Sequence, residues 1–167
     1  RTMTQASSIL VTGGAGFIGS HSCKALKMAG YLPVVFDTLS TGHAEAVRFG
    51  PFVKGDIRDQ DAVAAAISKH KITAILHFAA SAYVGESVQH PNAYYDNNVG
   101  GMISLLKAAS ATGIKRIVFS SSCATYGVPE TLPIMGPCTR GVLCFSARAL
   151  NPGSSTNGCM SAEGPAR

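Results

Sequence analysis

The amino-acid sequence predicts an α/β fold: a doubly wound parallel sheet with helices on both faces. Three observations carry this expectation. Short apolar runs alternate with longer amphipathic stretches, from "SSILVTGG" near the amino terminus to "IKRIVFSSS", at the spacing of strand–helix–strand crossovers. Each apolar run is continuous rather than alternating, as strands buried on both faces require. A glycine cluster separates the first apolar run from the first amphipathic stretch. Right-handed crossovers leave few arrangements for five such strands, and the order 3-2-1-4-5 is expected.

Taken in order, "SSILVTGG" is a short apolar strand broken by glycines. "FIGSHSCKALKMAG" predicts a helix with Ile18, Ser22, Ala25, Leu26 and Ala29 on its inner face and Gly30 as its stop. "YLPVVFD" predicts a second buried strand, and "PFVKGDIRD" a third, shorter one. "QDAVAAAISKH" reads as an amphipathic helix and "ITAILHFAA" as a fourth strand ending in small residues. A long helix is expected over most of "NAYYDNNVGGMISLLKAASATG", with Tyr95, Val99, Met102, Leu106 and Ala109 inward. "IKRIVFSSS" is the fifth strand. After about residue 135 the pattern stops. Gly, Pro, Ser, Thr and Cys recur, and only "GVLCFSARAL" has the makeup of a helix or strand. The expected organisation is a domain over residues 1–135 and an irregular tail over 136–167.

Composition narrows the function. A chain of 167 residues, 46% hydrophobic and 14% charged, suits one globular domain. No apolar run approaches the roughly 18 residues that span a bilayer, and no charged-then-apolar leader opens the sequence, so a cytoplasmic protein without a membrane partner is expected. The net charge of +5 comes from scattered residues such as Lys24, Lys54, Lys69 and Lys107 and forms no stripe, which argues against a nucleic-acid partner. Cys23, Cys123, Cys138, Cys144 and Cys159 show no C-x-x-C spacing. No metal site is expected, and the thiols are read as buried or idle.

The glycine cluster carries the chemistry. "LVTGGAGFIGSH" satisfies G-x-G-x-x-G through Gly14, Gly16 and Gly19, and G-x-x-G-x-x-G through Gly13, Gly16 and Gly19. Between a strand and a helix, such glycines allow a tight turn and let backbone approach a pyrophosphate at the helix N-terminus. Asp37 ends the second strand near the roughly 20-residue offset of an acid that holds a ribose 2′-hydroxyl. A carboxylate there repels a 2′-phosphate, so NAD is favoured over NADP. The fold is therefore expected to be an NAD-binding Rossmann fold. Asp56 and Ile57 of "GDIRD" close the third strand on the adenine side, and "HFAAS" closes the fourth with small side chains. His77 in that stretch is read as a packed, hydrogen-bonded residue rather than a catalyst.

In this order, "VTGGAGFIGSH", "GDIRD", "HFAA", "VGESVQHPNAYYDNNVGG" and "VFSSSCATYG" resemble the UDP-glucose 4-epimerase family of extended short-chain dehydrogenase/reductases. The resemblance covers roughly residues 8 to 134, an amino-terminal portion only. It implies that Phe17 and Ile18 offer backbone to the pyrophosphate of NAD. Asp37, Thr38, Leu39, Ser40, Thr41 and Gly42 would surround the adenine ribose, and Asp56 and Ile57 the adenine. Phe78, Ala79, Ala80, Ser81 and Ala82 would line the cofactor, Asn97 would reach it from the long helix, and Ser122 would be the active-site serine. Thr41, Gly42 and Ala82 depart from residues common in the family.

The implied reaction interconverts UDP-glucose and UDP-galactose through a 4-keto sugar. In the family a Tyr-x-x-x-Lys pair follows the serine strand. Here no tyrosine follows Tyr126 and no lysine follows Lys115. The family's UDP-sugar domain is missing as well, and the change near Met135–Gly136 resembles a shifted reading frame or an aberrant splice. The expectation is thus an epimerase by descent that is inactive as this chain. The alternatives are a non-catalytic NAD-binding fragment and an NAD-dependent nucleotide-sugar dehydratase relative. The family homodimer, which uses the long helix near residues 91 to 111, is doubtful here because its second helix is missing.

Overall fold

The computed structural model describes residues 6–120. The expected domain boundary near residue 135 lies outside them. The five strands are β1 (Ser8–Thr12), β2 (Leu32–Asp37), β3 (Phe52–Lys54), β4 (Ile72–His77) and β5 (Ile117–Phe119). All pair in parallel in the order β3-β2-β1-β4-β5, as the alternating pattern predicted. The helices are α1 (Phe17–Met28), α2 (Gln60–Lys69), α3 (Val84–Gln89), α4 (Pro91–Tyr94) and α5 (Gly101–Ala111). Right-handed crossovers put α1 on one face of the sheet and α2 and α5 together on the other, where α2 packs on both α5 and β4. Among the described residues no helix is long and apolar enough to cross a membrane.

Burial follows position in the sheet. All five residues of β1 are buried, as are the four central residues of β2. Among the described residues the outer strands β3 and β5 differ from the sequence expectation of strands covered on both faces: Phe52, Val118 and Phe119 are exposed. Pro33 sits inside β2 at no cost to the ladder. Val35 turns its N–H to the β3 side, where it bonds the Pro51 carbonyl at 2.9 Å. Strand periodicity points position 33 the same way, and pairing with β3 begins only at Val35. The missing donor faces a place where no partner strand runs.

Two helices show a face other than the expected one. In α1 the buried residues are Gly19 and Cys23, with Leu26 half-buried, while Ile18, Ala25 and Ala29 are exposed. The rotation is set by Gly19, which lets the helix backbone rest on the Gly13–Gly14 turn: a Cβ there would lie 2.7 Å from the Gly14 Cα. Burial also pushes the Cys23 thiol up to about 11, leaving an inert sulfur.

The long helix is a continuous run in which a π-helical turn, Tyr95–Gly100, joins α4 to α5. Its inner side is Gly101, Leu105, Ala108 and Ala109, with Tyr94, Asn97 and Asn98 half-buried. Tyr95, Val99, Ile103 and Leu106 are exposed. Of the residues expected inward, Ala109 is buried and Met102 half-buried, whereas Tyr95, Val99 and Leu106 face out, because this helix docks largely through its small and amide-bearing side.

Candidate functional site

The carboxyl ends of β1, β2 and β4 meet at the glycine turn. The Gly13 N–H bonds the Phe36 carbonyl at 2.9 Å, and the Phe78 N–H bonds the Thr12 carbonyl at 2.9 Å. Gly13 has φ +71°, and a Cβ on it would lie 2.7 Å from the Phe78 carbonyl carbon and the Ala79 nitrogen. Only glycine fits there. The Gly16 N–H returns to the Gly13 carbonyl at 3.1 Å and closes the turn.

Gly16 is the N-cap of α1, no side chain caps the helix, and no acid lies in its first turn. Its leading amides therefore have no side-chain acceptor, and with the helix dipole they favour an anion. Phe17 and Ile18 lie on the exposed side of this turn.

Asp37, at the end of β2, ties the turn to the sheet. Its Oδ2 accepts the Ala15 N–H at 3.0 Å, and its Oδ1 accepts the Leu39 N–H at 2.8 Å. Two donors on a carboxylate with about four lone-pair sites leave acceptor capacity free. The segment after it is wrapped tightly. Leu39 has φ +62°, Thr38 Oγ1 donates to Ser40 Oγ at 2.9 Å, and the His43 N–H bonds the Ala15 carbonyl at 3.1 Å. Thr41 is exposed, and Gly42 lies against Ala15.

Two residues beyond β3, Asp56 is half-buried and Ile57 is buried. Both Asp56 oxygens are held by Arg58, whose hydrogen bonds keep the carboxyl below its usual range. Beyond β4, Ala79 and Ser81 are half-buried, and Ala80 and Ala82 are exposed. The Ser81 loop is fixed by the π-helical turn. Asn98 accepts the Ser81 N–H at 2.8 Å and donates to the Ser81 carbonyl at 3.0 Å. Asn97 Nδ2 reaches Ser81 Oγ at 3.3 Å and Asn98 Oδ1 at 2.9 Å. π-Helical turns are frequent at functional sites. Asn98 was not among the sequence candidates. The available signal was a pair of adjacent asparagines, poor helix formers, inside a helical run. Ser122 lies outside the described residues.

His77 is the packed, hydrogen-bonded residue expected. It is 2% exposed, lies 2.7 Å through Nδ1 from Thr12 Oγ1, and stacks on Phe119 at 5.6 Å. Burial lowers its pKa from 6.5 to about 4. The unfolded chain therefore binds a proton between those values that the folded chain refuses, so stability falls as pH drops through that window and is constant above it. The loss is about 3 kcal/mol. Urea midpoints measured from pH 7.5 to 4.5 should show this step, and His77→Gln should remove it. An equal step in the variant would assign it to other groups.

The model of the NAD dependent epimerase/dehydratase family matches residues 9–143. The chain belongs to that family. Among its relatives, the UDP-glucose 4-epimerase of Rhizobium meliloti (strain 1021) is 56% identical over 130 residues, which are 78% of this chain and 40% of the relative. The crystal structure of UDP-glucose 4-epimerase from Brucella ovis in complex with NAD superposes with a TM-score of 0.72 at 55% identity, covering 85% of this chain and 43% of that one. The UDP-glucose 4-epimerase of Bifidobacterium longum, solved with NAD+ and UDP, gives 0.68 at 35% identity, covering 77% and 41%. This epimerase/dehydratase chain thus spans about two fifths of the length of the curated relative and slightly more of the solved ones.

Proposed function

We propose that residues 6–120 form the NAD-binding part of a UDP-glucose 4-epimerase, the protein acting on UDP-glucose and UDP-galactose when its remaining portion is present. The observation that carries this reading is the Asp37 carboxylate, bonded to Ala15 of the glycine turn beside an uncapped helix N-terminus. Backbone of Gly13, Gly14, Gly16, Phe17, Ile18 and Gly19 would hold the pyrophosphate. Asp37 to Gly42 would hold the adenine ribose, and Asp56 and Ile57 the adenine. Phe78 to Ala82 and Asn97 would face the remainder of the cofactor. When bound, NAD supplies a hydride acceptor and donor for one sugar carbon. Ser122 would hydrogen-bond the reacting oxygen. Identity above one half to a 4-epimerase over three quarters of the chain supports the substrate class. The outward Tyr95, Val99, Ile103 and Leu106 fit one half of a helical dimer surface.

Calorimetric titration tests the cofactor. NAD should bind more tightly than NADP, because Asp37 meets the 2′ position with negative charge. Asp37→Ala should weaken NAD binding by roughly 1–3 kcal/mol, the worth of a charge-assisted hydrogen bond. Equal or better binding of NADP would sink the assignment.

A further inference from the structure

The cations are scattered in the sequence, but the fold gathers seven of them at one end. Parallel strands joined by crossovers send α1, α2 and α5 back antiparallel to the sheet, so their C-termini stand at the amino ends of the strands. Lys27 and Lys69 lie in the last turns of α1 and α2. Lys24 and Lys107 lie about one turn before the ends of α1 and α5. Lys71 leads into β4, and Lys115 and Arg116 lead into its neighbour β5, where the Arg116 carbonyl accepts the Ile75 N–H at 2.9 Å. All seven residues are exposed.

Every described acid stands elsewhere. Asp37 ends β2, and Glu45 follows it in the connection to β3. Asp56, Asp59 and Asp61 run from just beyond β3 into the first turn of α2. Glu86 and Asp96 lie between β4 and α5. The ion pairs of the described residues, Arg58 with Asp56 and with Asp96, belong to that acidic side. None of the seven cations pairs with a carboxylate among the described residues. Helix dipoles account for Lys27 and Lys69, but not for Lys71, Lys115 and Arg116, which precede strands. Like charges held together without counter-charges repel, and an anionic partner removes that repulsion.

The kind of partner follows from what accompanies the charge. Met28 and Tyr31, where α1 turns into β2 at the same end, are 80% and 42% exposed. An apolar and a tyrosyl side chain among lysines suit the headgroup region of a bilayer. Six of the seven cations are lysines, point charges without the planar fork by which arginine reads phosphates and base edges. We propose that this end of the domain is a docking surface for an anionic phospholipid bilayer, held by its unpaired cations and by shallow insertion of Met28 and Tyr31. The sequence expectation of no membrane partner rested on the lack of a spanning run, which peripheral binding does not need. Docked in this way, the carboxyl ends of the strands, with the glycine turn and Asp37, face away from the lipid and stay open to ligands.

The test is co-sedimentation of the full 167-residue chain with vesicles of phosphatidylcholine, alone or mixed with phosphatidylserine. The chain should bind the anionic vesicles and not the neutral ones. Raising salt from about 0.01 M to 1 M shortens the screening length from about 30 to 3 Å and should release it. Each cation near an anionic surface is worth about fivefold in affinity, so Lys69→Gln with Lys115→Gln should weaken binding roughly 30-fold. Arg48→Gln with Lys54→Gln removes the same net charge outside this end and should change binding by less than about twofold. All four positions are exposed, where substitutions shift stability little, and the salt series on the wild-type chain reads the charge without any variant. Equal loss in the two double variants, equal binding to neutral vesicles, or no binding to anionic ones overturns the proposal. Duplex DNA that strips the chain from anionic vesicles at equal phosphate concentration also overturns it and assigns this end to nucleic acid.

Discussion

A preparation of these 167 residues, supplied with NAD and UDP-galactose, is expected to form no UDP-glucose above background. Epimerisation needs a base to take the sugar hydroxyl proton, and a phenol with its ordinary pKa near 10 needs a neighbouring cation to serve at neutral pH. The residues four positions after Tyr31, Tyr83, Tyr94, Tyr95 and Tyr126 are Val35, Ser87, Asn98, Val99 and Glu130, so no Tyr-x-x-x-Lys pair exists in the chain. A positioned base is worth about 10²–10⁴-fold. Contacts that orient a sugar against the cofactor add to this, with effective molarities of about 10⁵–10⁸ M at stake. An unactivated hydroxyl such as that of Ser122 cannot replace them. The measurement is a coupled assay with Ser122→Ala as control. Turnover that this substitution abolishes would show that a complete site is present, with Tyr126 the first residue to examine as base.

Substituting Gly19 should collapse the site and weaken the domain. A Cβ at this position would strike the Gly13 carbonyl oxygen and lie 2.7 Å from the Gly14 Cα. Both are backbone atoms of a turn already fixed to Phe36 and, through Ala15, to Asp37. Neither can yield as a side chain would. Gly19→Val must therefore push α1 away from the sheet, opening the cluster of Ile9, Val11, Ala15, Cys23 and Val35. Overpacking of this kind costs on the order of 3 kcal/mol, which for a domain of this size lowers the melting temperature by about 10 °C. NAD binding should be lost with the geometry of the helix N-terminus. Gly85→Ala is the matched control, since nothing lies within 4 Å of a Cβ there. Thermal melts and titration of both variants decide the matter. Wild-type values for Gly19→Val would contradict the close approach of α1.

The strands and their order were readable because central parallel strands leave long apolar runs: β1 and β2 are buried nearly end to end. The glycine turn and Asp37 were readable for a similar reason, since their chemistry depends on residue type at a fixed spacing. Helix rotation was not readable. Apolar periodicity assigns the inner face to the bulkiest residues, whereas α1 docks through Gly19 and the long helix through Gly101 and the amide of Asn98. Residues that allow close approach, or that replace a backbone partner, contribute no hydrophobic signal. Asn98 escaped notice on the same ground, and the Arg58 bridge did so because its partner Asp96 is remote in sequence.

The sheet order has a consequence for how the chain is made. β1 is synthesised first yet ends in the middle, with β2 on one side and β4 on the other. β2 and β3 can add to it as they emerge, but the second edge of β1 stays open until residues 72–77 have left the ribosome. Through that interval Ile9, Leu10 and Val11, all buried in the finished protein, border an unpaired edge, the kind of surface that pairs with other chains. Long-range parallel pairing is also intrinsically slow. Chaperone dependence during translation should therefore concentrate on β1 and end when β4 docks. The centre of the completed sheet is, for part of its synthesis, an edge.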